Sequence, residues 1–313
     1  MSLLDSLCRL FQPAPPRPEP SVSAVKRPYH GLREKSVQCI GPHGFHRMAY
    51  TEWGDPANRK VLICAHGLTR NGRDFDFLAQ ALADDYRVVC PDVVGRGRSD
   101  WLGVKADYGF PLYVSDMVTL LARLDAESVH WLGTSMGGII GMLIASQPHT
   151  PISRLVLNDV GPVITAVSLR RIGEYVGRAP KFSSMSEAEA WIRMVSAPFG
   201  PLTDEQWQHL TRYSVRPVEG GFAMIYDPGL GDVFRDAPIL LDVDLWDVFK
   251  AIRCPTLAIR GAESDLLEAE IFQKMATQGP CARLAEIPGV GHAPMLMDGA
   301  QISLVSDFLL GTD

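Results

Sequence analysis

The 313-residue sequence is poor in what several large protein classes require. None of its six cysteines, Cys8, Cys39, Cys64, Cys90, Cys254 and Cys281, forms a C-x-x-C pair. That disfavours a zinc site or a disulfide framework and predicts a reducing, cytoplasmic setting. Cys64 and Cys90 end the apolar runs VLIC and RVVC, where a thiol behaves as a small buried hydrophobe. No run is long and apolar enough to span a bilayer. Positive charge is not in excess: the formal net charge is −6, which disfavours nucleic acid and anionic membranes as partners. The chain carries no phosphate loop, dinucleotide fingerprint, HExxH or visible cluster of metal ligands, so the chemistry is expected to need neither cofactor nor metal. The opening MSLLDSLCRLF lacks the basic and continuously apolar regions of a secretory signal. Five prolines between Pro13 and Pro20 read as an extended linker, so residues 1–30 are expected to be a flexible extension.

What is present is an ordinary globular composition, 46% hydrophobic and 21% charged, long enough to bury a large core. Lys35–Ile40 and His46–Trp53 read as an antiparallel pair joined at Gly41-Pro42-His43-Gly44. Short apolar strands then alternate with helical patterns. The strands are Lys60–Ala65, Arg87–Cys90, Ser128–Leu132, Ile152–Asn158, Pro255–Arg260 and Arg283–Ile287; the helices include Leu112–Leu124, Met136–Ser146 and Ile302–Leu310. This alternation predicts an α/β fold, a mostly parallel eight-stranded sheet with helices on both faces. Residues 162–243 break the rhythm and are too long for a bare loop. They are expected to form a helical cap over the C-terminal edge of a core made of 31–161 and 244–313, the edge where open α/β sheets bind ligands.

The most specific motif is Gly133-Thr134-Ser135-Met136-Gly137, after the strand SVHWL and before the helix GGIIGMLIA. Strand, sharp turn and helix are what a nucleophile elbow requires: Ser135 is held in strained geometry, and glycines on either side remove clashing side chains. The plain alternative is a glycine-rich turn with a capping serine. His66-Gly67 after VLICA, Asp92-Val93-Val94-Gly95-Arg96-Gly97-Arg98-Ser99 after the next strand, and Leu157-Asn158-Asp159-Val160-Gly161-Pro162 follow in order around that elbow. Over about residues 35 to 310 the chain resembles the α/β-hydrolase family, and the resemblance implies that fold and a hydrolytic activity.

A serine hydroxyl needs a base, and the base needs an orienting acid. The family's order of serine, acid, histidine leaves His149, His209 and His292. His149 lies too near the elbow and His209 falls in the insertion, so His292 in Gly289-Val290-Gly291-His292 is the expected base. By family position Asp265 is favoured as the acid, with Glu263 and Asp159 as alternatives. The backbone N–H groups of Met136 and Leu68 are the expected oxyanion donors. His66 is read as structural, and Arg96 and Arg98 as braces of their loop. Arg70, Asn71 and Arg73 either meet an acidic substrate group or cap the next helix. Trp191, Phe222 and Tyr226 are candidates to line an acyl pocket or, equally simply, to pack the cap.

The reading that results is hydrolysis of a small or medium carboxylic ester, a lactone or a hydroxyacid oligomer through an acyl-enzyme, with a small-molecule ester as partner. Two alternatives share the apparatus: carbon–carbon bond hydrolases or cofactor-free perhydrolases, and ligand receptors on the same fold.

Overall fold

A computed structural model describes residues 31–178, 180–235 and 241–311; the extension expected over residues 1–30 lies outside them. The main sheet has eight strands: β1 (Arg33–Gly41), β2 (Gly44–Trp53), β3 (Lys60–Ala65), β4 (Arg87–Pro91), β5 (Ser128–Thr134), β6 (Ile152–Asn158), β7 (Thr256–Gly261) and β8 (Arg283–Ile287). Their order across the sheet is β1-β2-β4-β3-β5-β6-β7-β8. β1 and β2 form an antiparallel hairpin, β2 runs antiparallel to β4, and every later pairing is parallel.

Successive residues of the central strands feed two separate cores. Val61, Ile63, Ala65, Val89 and Trp131 face one core, and Leu62, Cys64, Val88, Cys90 and Leu132 face the other. Burial on both faces is why these strands read as continuous apolar runs. The helices covering the sheet are α1 (Asp76–Ala81), α2 (Phe110–Leu124), α3 (Met136–Ala145), α8 (Trp246–Ala251), α9 (Ala269–Met275) and α10 (Gly299–Leu310). In α2 the buried Leu112, Tyr113, Asp116, Met117, Leu120 and Leu124 follow a helical stripe. Between β3 and β4 a 3-10 turn at Gly72–Phe75 leads into the short α1.

From β3 the chain moves to β4 on one side and returns to β5 on the other. The crevice at the C-terminal ends of β3 and β5 is therefore the topological switch point, where such sheets bind ligands.

Residues 162–243 carry α4 (Ala166–Tyr175), α5 (Met185–Val195), α6 (Asp204–Ser214) and α7 (Asp232–Arg235). They also hold a small antiparallel sheet of Lys181–Phe182, Val215–Val218 and Gly221–Met224, which the helical expectation did not include. Strands of two and four residues are too short to display an alternating pattern. The insertion is tied to the sheet's rim at several points. Asn71 donates to the Tyr213 carbonyl (2.7 Å), Arg70 to Ser214 Oγ (2.7 Å), Tyr108 Oη to Asp227 (2.6 Å), and the Gly291 N–H to the Pro198 carbonyl (2.7 Å). Lys105 forms an ion pair with the same Asp227. No helix among the described residues is long and apolar enough to cross a membrane.

Candidate active site

Ser135 sits at the turn between β5 and α3 with φ 51° and ψ −118°. A side chain in this left-handed region is strained and persists only where the surroundings fix it. The flanking glycines show how tightly they do. A Cβ on Gly133 would lie 2.2 Å from the Gly137 carbonyl oxygen, and one on Gly137 would lie 2.0 Å from that of Ala65. The Ser135 N–H is anchored to the Asn158 carbonyl at 3.0 Å, and α3 begins at the next residue. The hydroxyl is thus held at the positive end of a helix, at the switch point.

His292 lies in the loop between β8 and α10. Its Nε2 is 3.1 Å from Ser135 Oγ, and its Nδ1 is 2.7 Å from Asp159 Oδ2. A carboxylate can only accept, so Nδ1 carries the proton and Nε2 is free to accept from the serine. Asp159 directly follows β6, is fully buried, and also has positive φ (54°). Its remaining acceptor capacity is filled: the Gly261 N–H donates to Oδ1 (2.8 Å), and Ser264 Oγ donates to Oδ2 (2.6 Å). Ser264 is itself fixed by the N–H groups of Leu266 and Leu267.

The expected acid, Asp265, is elsewhere. Its side chain is 58% exposed and forms an ion pair with Arg171 of α4, while its carbonyl accepts from Ser168 Oγ at 3.0 Å. Asp265 thus joins the loop after β7 to the insertion, and Asp159 holds the place expected of it. Glu263 is also exposed. β6 and β7 are parallel neighbours, so acids after either strand end at the same rim; sequence spacing alone does not choose between them.

Of the two expected oxyanion donors, Met136 directly follows Ser135, and Leu68 follows Gly67, where a Cβ would lie 3.7 Å from Ser135 Cβ. Neither the Leu68 nor the Met136 N–H meets an acceptor among the described residues. His66, fully buried, holds the peptide that leads into Leu68. It accepts from the Val93 N–H through Nε2 (2.9 Å), so its proton is on Nδ1, which donates to the Gly67 carbonyl at 2.7 Å. That carbonyl belongs to the same trans peptide as the Leu68 N–H, so fixing one end fixes the orientation of the other. Burial pushes the His66 pKa down to about 3, and the nearby Arg96 and Arg70 reinforce this; the ring stays neutral.

Arg96 bears on both donors. It is fully buried and donates to the Leu68 carbonyl (2.8 Å), the Val94 carbonyl (2.7 Å) and Met136 Sδ (3.5 Å). Its guanidinium lies 4.9 Å from the centre of the Tyr113 ring. The sequence reading as a loop brace missed this reach to both sides of the site. Arg98 and Asp92 brace the loop instead: Asp92 accepts from the Gly72 and Arg98 N–H groups. Arg70 and Arg73 are engaged by Asp74 and Asp76, and Asn71 caps the 3-10 turn.

Trp191, Phe222 and Tyr226 have packing partners inside the insertion. Trp191 lies 5.6 Å from Phe182 between ring centres, Phe222 pairs with Phe182 across the small sheet, and Tyr226 Oη donates to the Arg178 carbonyl. The insertion reaches the site nearer Pro198, whose carbonyl holds Gly291 beside His292.

Residues 62–302 match the model of the alpha/beta hydrolase family. The chain belongs to that family, and it is a hydrolase. It is 50% identical over 283 residues to a 3-hydroxybutyrate-oligomer hydrolase of Cupriavidus necator, covering 88% of this chain and 97% of that one. An N-formylmaleamate deformylase of Pseudomonas putida is 25% identical, over 79% of this chain and 86% of its own. Among solved structures, an alpha/beta hydrolase from Novosphingobium aromaticivorans superposes with a TM-score of 0.80 at 33% identity, covering 90% of this chain and 99% of that chain.

Proposed function

We propose that the protein hydrolyses esters of short hydroxyacid oligomers through an acyl-enzyme on Ser135. The observation that carries the reading is the unbroken relay from Ser135 Oγ through His292 to Asp159, at 3.1 and 2.7 Å. His292 Nε2 takes the proton as Ser135 Oγ attacks the ester carbonyl, then gives it to the leaving alcohol. Water repeats the cycle to release the acid, and Asp159 holds the imidazolium that forms twice. The N–H groups of Leu68 and Met136 receive the oxyanion; one such donor is worth about 3 kcal/mol of barrier. The insertion at 162–243 acts as a cap that excludes water. The likeness to the 3-hydroxybutyrate-oligomer hydrolase over nearly its full length supports the substrate class, and the free cysteines among the described residues favour a reducing, cytoplasmic setting.

The test is multiple-turnover hydrolysis of 3-hydroxybutyrate dimer and trimer beside p-nitrophenyl esters, a lactone and a ring-cleavage dienone. Release of monomer from the oligomers, lost in Ser135→Ala, is the expected result. Turnover of the dienone alone would move the protein to carbon–carbon bond hydrolysis. A single burst without turnover on any substrate would make it a receptor.

A further inference from the structure

Separate from the triad, at the β1–β2 edge of the sheet, the hairpin and α2 enclose a second group of reactive side chains. Cys39 and His46 are directly opposite one another in the antiparallel register of β1 and β2. Asp116 comes down on them from α2. All three are buried, at 1%, 4% and 0% exposure. One ligand-type atom from each, a sulfur, an imidazole nitrogen and a carboxylate oxygen, lies within 4.8 Å of the other two. His46 Nε2 is 2.8 Å from Asp116 Oδ2. The remaining polar atoms, His46 Nδ1 and Asp116 Oδ1, are both buried and have no hydrogen-bond partner. Interiors satisfy nearly all such atoms, so an unmet carboxylate oxygen beside a thiol and an imidazole leaves the cluster short of a donor or a cation.

We propose that Cys39, His46 and Asp116 form a binding site for a divalent transition-metal ion of the zinc type, which clasps the β1–β2 hairpin to α2. Thiolate, neutral imidazole and carboxylate are a ligand set that zinc accepts, and the two negative charges match one divalent cation, leaving a neutral buried site. Tetrahedral zinc holds its ligands about 3.3–3.6 Å apart, so the cluster needs only small adjustments. The sulfur and nitrogen draw together, and the His46–Asp116 hydrogen bond opens as the Nε2 proton moves to Nδ1, so that the neutral ring ligates through Nε2. Binding releases the Cys39 thiol proton to solvent, and no electron is transferred. Two ligands stand on one hairpin and the third on a long helix, so the scaffold is rigid. The fourth position is left for water.

Cobalt titration of the full-length, chelator-treated protein is the direct test. A one-equivalent complex with a thiolate-to-cobalt charge-transfer band is expected, together with a melting temperature that rises with free zinc. Cys39→Ser should remove the band and weaken zinc by at least about 100-fold, Asp116→Asn should weaken it similarly, and Cys281→Ser should leave both intact. Wild-type protein showing neither band nor shift overturns the site. So does a band that survives Cys39→Ser, which would place the metal on another thiol. Should Cys39→Ser not fold, the wild-type titration and Asp116→Asn still decide.

Discussion

The molecule carries two groups built from the same parts, a nucleophile-type atom, a histidine and an aspartate, and only one is equipped to react. At the switch point, Ser135, His292 and Asp159 are aligned, every oxygen of Asp159 has a donor, and the N–H groups of Leu68 and Met136 have no acceptor among the described residues. Under the hairpin, Cys39, His46 and Asp116 are packed away from solvent with two polar atoms unmet. Burial and the Asp116 carboxylate push the Cys39 thiol up to about 12, so it is not a thiolate nucleophile. Residue type does not separate the two groups. Their surroundings do: Ser135 sits on a strained elbow, is partly exposed and adjoins an N–H without an acceptor, whereas Cys39 lies buried within a regular hairpin.

The sharpest way to break this comparison is to remove each nucleophile in turn. Ser135→Ala or His292→Ala should lower kcat by about 10⁴- to 10⁶-fold, and the double variant should lose little more, because the residues act as a unit. Cys39→Ala should leave kcat within about threefold, since it lies outside the reacting group, while lowering the melting temperature through lost packing. Steady-state kinetics on one ester, with thermal melts alongside, reads all of these. A large loss of kcat in Cys39→Ala would erase the distinction.

The second contrast lies between the two carboxylates that flank β6 and β7. Asp159→Asn should reduce kcat by about 10⁴-fold, because an amide no longer fixes the Nδ1–H tautomer. Asp265→Asn should cost no more than a few-fold: Asp265 pairs with Arg171 at the surface, and exposed pairs of this kind contribute about 0–1 kcal/mol. Reversed effects would restore Asp265 as the acid.

A smaller effect is expected beneath the oxyanion donors. Arg96→Met preserves the bulk of a buried side chain but removes the hydrogen bonds to the Leu68 carbonyl and Met136 Sδ. Loosening the loop should cost about 10- to 100-fold in kcat with little change in KM, part of what one donor supplies. Equal losses in kcat and in substrate affinity would show that Arg96 serves only folding.

These contrasts also show what the sequence makes legible. The elbow was readable because its glycines have no alternative, and the strands β3 to β7 because burial on both faces leaves apolar runs. His292 followed from chain order once Ser135 was fixed. Asp159 was visible only as an alternative, since choosing between adjacent parallel strand ends needs the Ser264 and Gly261 donors, which sequence does not place. The role of Arg96 depends on contacts with residues 28 and 40 positions away. The Cys39–His46 pairing depends on hairpin register, which a spacing rule for metal ligands does not sample.

A third histidine extends the comparison, because it meets cations where the other two meet carboxylates. Burial, then Arg96 and Arg70, hold the His66 pKa near about 3, below its ordinary value of about 6.5. A group whose folded pKa is depressed binds its proton more readily in the unfolded chain. The stability it supports is therefore complete above about pH 6.5 and is lost as pH falls from there toward 3, at up to about 1.4 kcal/mol per unit. His130, hydrogen-bonded to Tyr86 and pushed down to about 4 mainly by burial, adds in the same direction. Urea unfolding at pH 7, 6 and 5 should show this decline, and His66→Asn should flatten it by roughly 1 kcal/mol per unit while lowering stability at pH 7. Parallel slopes in the two proteins would mean that the loop admits a charged His66, and that the Gly67–Leu68 peptide is not held by a neutral ring.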